Sequence, residues 1–253
     1  MIERSCRGHY ACIYLRRLGG AHRRCEPPKI VMPQALRMDR YYFKGGDAYV
    51  CRFFHNLGFM ETKDFEFLDK FAEKLSEALV GQCTADGMLD GKMLTVDELN
   101  EKWRASAPEY MAAAVPQIAD YPSAAVAWAC YVGMGAAALW DKSWGEYKDT
   151  DDWYSLMASP RGFDCLDEYV TECLVGYRLD SAEATKLETV IRNCAHTALT
   201  MICKEGVEPQ SAMAFHVFAR AVKVFFELGV SLELRHRGYK YVKVAIDGSA
   251  PLS

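Results

Sequence analysis

Thiol and imidazole groups come nearest to metal-ligand spacing at the start of the chain. Cys6-x2-His9-x2-Cys12 is followed there by His22-x2-Cys25. Side chains so spaced can chelate zinc from one short loop. The surrounding segment has no periodic apolar pattern to fold around an ion, so a chance cluster is the expectation. A second set is Asp86, Asp90 and Glu98, which lies between two helical patterns as in a helix–loop–helix calcium site. Such a loop wants oxygens at positions one, three and five, Gly at six and a bidentate Glu at twelve. Counting from Asp86, Asp90 and Gly91 fit, but position three is Met88 and Glu98 stands one residue late. Two Asp-Gly turns and a capping box at Thr95–Glu98 are expected instead, with no metal and no other cofactor.

Asp149-Thr150-Asp151-Asp152 is similar to the short acidic motif of some terpene cyclases, but those enzymes are far larger, and a solvated acidic loop is expected. The histidines that follow Met60 (His196, His216 and His236) include two on helical patterns, His196 near Arg192 and His216 near Arg220, and both read as boundary residues. No Ser/His/Asp order, phosphate-binding loop or dinucleotide fingerprint occurs, so no catalytic residue is assigned. Five tryptophans remain, Trp103, Trp128, Trp140, Trp144 and Trp153. Trp128, Trp140 and Trp144 are the candidate walls of an apolar ligand pocket. Burial as ordinary core is the competing reading.

The elements that must position these groups are helices. Apolar residues recur at three and four residues over 64–82, and again after Thr95, after Ser106, from Asp120 to about Tyr147, over 165–175, from Asp180 to Gly206, and over 210–228. Capping boxes are expected at Thr95–Glu98, Ser106–Glu109 and Asp180–Glu183, and Asp164 is expected to cap the helix at 165. Tyr121 to Trp140 has no charged residue and is long enough to span a bilayer, yet it is rich in alanine. Its Ala125, Ala129, Gly133 and Ala137 form a ridge along which another helix can approach closely. It is expected to be a buried central helix, not a membrane span. After Gly229, Leu232, Leu234, Tyr239 and Tyr241 around Arg237-Gly238 suggest a short hairpin. The fold class is all-α, a single bundle-like domain of about seven helices.

Charge divides the chain at Met60. Residues 1–59 hold 11 Lys and Arg against 4 Asp and Glu, leaving to residues 60–253 only 19 of the chain's 30 basic residues but 30 of its 34 acidic ones. Met60 is therefore read as the true start of the domain 60–253, with 1–59 a non-native or disordered basic extension. An acidic domain argues against a nucleic-acid partner. Cysteines after Met60 show no framework spacing, as in a reduced cytoplasmic protein. A non-enzymatic helical interaction or regulatory protein is the first functional expectation. Its partner is either another protein or a second copy meeting the nearly all-apolar helix 210–228. A small-molecule-binding protein or enzyme with a Trp-lined pocket is the second.

Overall fold

The computed structural model describes residues 61–208 and 210–240. The basic extension, the Cys6–Cys25 set, Met60 and Tyr241 lie outside these residues. Eight α-helices and no strand occur among the described residues: α1 Thr62–Ala85, α2 Asp97–Ala114, α3 Pro122–Lys142, α4 Trp144–Tyr147, α5 Trp153–Ala158, α6 Leu166–Tyr169, α7 Ala182–Lys204 and α8 Ala212–His236. α6 continues into a π-helical turn, Val170–Val175. The described residues form an all-α domain, as their periodicity implies.

α3 forms the centre. Pro122 starts it at the position where a missing N–H costs nothing, and the run from Ala129 to Leu139 is buried without interruption. α8 lies along it in the same sense, since Gly133 faces Phe226 and Val230 while Asp141 reaches Arg237. The small-residue ridge brings the two backbones together. A Cβ on Gly133 would strike the Phe226 carbonyl oxygen and come within 2.9 Å of the Val230 nitrogen. A Cβ on Gly229 would strike the Cys130 carbonyl. α3 is long and apolar enough to cross a membrane, but 78% of its apolar window is buried inside the chain.

Several boundaries differ from the sequence expectation. α1 runs through Gly81 to Ala85, and the two Asp-Gly turns follow, with positive φ at Gly87 and Gly91. Thr95 does not cap α2; Val96 occupies the cap position and offers no side-chain bond. Ser106 caps nothing either, because α2 passes through Pro108 as one helix. Its apolar stripe is the reason: Leu99, Trp103, Tyr110 and Ala114 are all buried on one side of Pro108 or the other, and packing outweighs the lost backbone bond. Ser106 is fully buried, bonding to Lys102 O and Asp151 O and accepting from Trp153 N. Asp164 sits in a 3-10 turn and caps nothing. Ser181 caps α7, while Asp180 pairs with Arg178. The expected hairpin is replaced at its first strand: Leu232 and Leu234 belong to α8, which Ser211 caps and which ends at His236.

Candidate functional site

α3 breaks at Ser143, whose φ of −157° leaves the helix, and the chain turns through α4 and an acidic loop into α5. The break gathers aromatic rings from four positions. Trp140 is 6.0 Å from Trp144 and 5.3 Å from Trp153, the latter edge-on, and Tyr147 is 6.4 Å from Trp153. Trp153 is completely buried, whereas Trp144 is 62% exposed, the most open large apolar side chain among the described residues. The indole Nε1 atoms of Trp140 and Trp153 are both buried and meet no acceptor. Buried N–H groups are usually paired, so two orphans in one cluster mark a place where an acceptor can bind.

Trp128 does not join this group. It lies twelve residues before Trp140, about 18 Å along the helix axis. Its Nε1 donates to the Phe163 carbonyl at 2.7 Å, and its ring meets Tyr131 edge-on. Of the three tryptophans expected to wall a pocket, the structure brings two together and adds Trp153 and Tyr147. The signal for Trp153 was faint, because it arrives through a loop with no periodicity.

A polar network flanks the aromatic rings. The Arg237 guanidinium donates to Glu233 Oε1 at 2.6 Å, to Asp141 Oδ2 at 2.7 Å and to the Leu174 carbonyl of the π-helical turn. The Tyr239 hydroxyl donates to Asp141 Oδ1 at 2.6 Å. These bonds, Tyr239's first and then Arg237's, hold the Asp141 carboxyl below its usual range. Glu233 is fully buried, and burial pushes its carboxyl up against the opposing pull of Arg237. His236 Nδ1 stands 3.4 Å from Glu233 Oε2, and its ring leans on Tyr177. The network ties the last turn of α8 to the last turn of α3. Sequence reading missed it because Arg237 and Tyr239 were assigned to a hairpin.

Part of the acidic loop serves the fold. Lys102 Nζ bonds the Thr150 carbonyl at 2.9 Å and approaches Asp151 at 3.4 Å, and Asp152 caps α5 through Ser155 N. The calcium-like set is dispersed as well. Asp90 pairs with Arg235 at 2.7 Å, Asp86 ends α1, and Glu98 is exposed in the first turn of α2. No group of three or more His, Cys, Asp or Glu among the described residues is arranged to hold an ion. His196 is exposed, and His216 is part-buried, with burial and then Arg220 lowering its pKa.

Two other features stand apart. Asp167, part-buried at the start of α6, has a carboxyl pushed up to about 7 by burial, with Glu168 and Glu188 adding to the rise and backbone N–H bonds opposing it. A shallow depression of about 590 Å³ lies between the end of α1 and the start of α7, lined by Asp86, Ser181, Lys186, Val190 and Asn193 among others. No tryptophan lines it. Comparison with protein-family models, curated proteins and solved structures finds no match to this chain.

Proposed function

We propose that the helical domain is a non-enzymatic interaction protein that presents an acidic, aromatic contact surface, centred on Trp144, to a basic segment of a protein partner. The exposure of Trp144 carries this reading: a large ring open to solvent, backed by Trp140, has the form of an interaction anchor. Charge supports the choice of partner. In residues 141–152, Asp141 and Asp152 serve the fold, while Glu146, Asp149 and Asp151 have exposed side chains, against Lys142 and Lys148. An indole face also attracts guanidinium and ammonium groups. α8 favours self-association less, because from Val217 onward most of its apolar side chains are buried within its own chain. We infer a cytoplasmic location, in keeping with Cys83, Cys130, Cys173, Cys194 and Cys203, which form no disulfide among the described residues.

A second reading, a small-molecule site at the same rings, is favoured by the unpaired Trp140 and Trp153 indoles. A ligand that offers a carbonyl or ether oxygen would satisfy them. Titration with a synthetic Arg/Lys-rich peptide, followed by tryptophan fluorescence, separates the two. The interaction reading expects saturable quenching that weakens with salt, is absent with an acidic peptide of equal length, and disappears in Trp144→Ala. Equal response in wild type and Trp144→Ala would overturn it. An aromatic ketone that protects against thermal unfolding in wild type but not in Trp140→Phe would favour the second.

A further inference from the structure

Three buried thiols converge where α1, α3 and α7 meet: Cys83, Cys130 and Cys194, each with no exposed surface. Two of them touch. Cys83 Sγ lies 3.6 Å from Cys194 Sγ, although the residues are 111 apart in sequence. We propose that Cys83 and Cys194 are a modification site, a dithiol pair that a peroxide converts to a disulfide stapling α1 to α7.

Geometry and access both point to this pair. Cys83 belongs to the last turn of α1, which ends at Ala85, and helix ends open with the smallest free-energy cost. The turn is tied down by the Met88 and Leu89 amides, which both donate to the Cys83 carbonyl, and by the Asp86 and Gly87 amides, which donate to the Gln82 and Thr84 carbonyls. The depression between α1 and α7 lies beside the pair: it is lined by Asp86, three residues after Cys83, and by Val190 and Asn193, four residues and one residue before Cys194. Fraying of that one turn therefore brings Cys83 to solvent beside an existing opening. Cys194 stays within α7; its bond to Cys83, and then its burial, hold its thiol protonated in the closed state. Both thiols are closed off from a dissolved oxidant at rest, so reaction follows opening.

The chemistry balances without a cofactor. The Cys83 thiolate attacks one oxygen of hydrogen peroxide, the O–O bond breaks, and the departing hydroxide takes up the thiol proton as water. Cys83 becomes a sulfenic acid. Cys194 sulfur then attacks the Cys83 sulfur, the S–O bond breaks, and the leaving hydroxide takes the Cys194 proton as a second water. The two thiols lose two electrons in total, and the peroxide gains them.

The test treats the full-length chain with hydrogen peroxide, blocks remaining thiols and maps peptides without reduction. The expected product is a cross-link between the tryptic peptides that carry Cys83 and Cys194, made in a Cys203→Ser background because Cys203 shares the second peptide. Oxidation should raise Tm by about 5 °C or more, since the bond closes a long loop. Dithiothreitol should reverse the rise, and Cys194→Ala should abolish it. If the packing of Cys194→Ala is too weakened to melt cooperatively, the peptide map on the parent chain decides alone. Oxidation confined to exposed Cys173, a cross-link through Cys130, or an unlinked Cys83 peptide after full oxidation would each overturn the proposal.

Discussion

At Gly133, α3 meets α8 backbone to backbone, with no room for a methyl group. Just past its C-terminal end, α4 presents Trp144 to solvent, in tilted contact with Trp140, whose indole N–H has no partner. The first region is fully packed and leaves nothing for a ligand to satisfy. The second carries apolar surface and orphan donors that the chain itself does not use. Between one helix and the short helix that follows it, complete packing marks architecture, and incomplete satisfaction marks the place to look for binding.

The largest expected effect breaks the first region. Gly133→Leu drives its Cβ into the Phe226 carbonyl, and neither backbone can move without separating α3 from α8. Overpacking in a core costs about 1–3 kcal/mol, and contact with backbone puts this case at or above the top of that range. Lys74→Leu, on the exposed face of α1, is the control. Equal denaturation midpoints for the two variants would refute the close crossing.

Next in size is the joint that holds the second region in place. Ser106 Oγ is the acceptor for Trp153 N at 2.9 Å and also meets two carbonyls. Ser106→Ala strands a buried N–H, at a cost of about 1–3 kcal/mol. It should also shift tryptophan emission, because the Trp153 ring is set by that bond. A stability loss without any spectral change would mean that the aromatic cluster is positioned by packing alone.

How much of this was legible in the sequence follows from what each signal depends on. The ridge Ala125, Ala129, Gly133 and Ala137 was readable, because close helix approach needs small residues at fixed spacing and nothing else. The Asp-Gly turns were readable for the same reason: their chemistry is local. The box at Asp180–Glu183 was one residue early, since Ser181 is the cap and Asp180 pairs with Arg178. Thr95 and Ser106 misled because a capping box is written identically whether or not the helix starts there. The buried stripe from Leu99 to Ala114 decided the matter, and that is a tertiary fact. The helical pattern was ended at 228, yet Gly229 is the point where α8 leans on the Cys130 carbonyl. That one misreading hid the Glu233–Arg237–Asp141 network. The pairing of Cys83 with Cys194 could not be seen at all, since nothing local links positions 111 apart.

A smaller effect distinguishes the centre from the rim by pH. The Asp167 carboxyl is raised to about 7 from an ordinary value near 3.8. A raised carboxyl favours the protonated folded state, so its contribution is fully present below about pH 4 and is lost as pH rises through about 7. Glu227 and Glu233 are raised in the same direction by burial, so their contributions have the same sign. Wild-type Tm should fall from pH 4 to pH 8, and Asp167→Asn, which keeps the neutral shape, should flatten part of that fall. Parallel wild-type and variant profiles would show that Asp167 is not desolvated.

The smallest effect on stability belongs to Trp144, and the comparison with Trp128 makes it informative. Trp128 donates to the Phe163 carbonyl at 2.7 Å and packs on Tyr131. Trp128→Phe removes that bond and should cost about 1 kcal/mol. Trp144 makes a tilted contact with Trp140 and is otherwise in water, so Trp144→Ala should change stability by less than about 1 kcal/mol. If its ring serves the chain, thermal unfolding will register its loss at least as strongly as that of Trp128. If it serves a partner, the melting curve will stay in place and only the response to the basic peptide will vanish. A Trp144→Ala variant that is clearly less stable than Trp128→Phe would assign the exposed ring to the fold and remove the ground for an interaction surface at this end of α3.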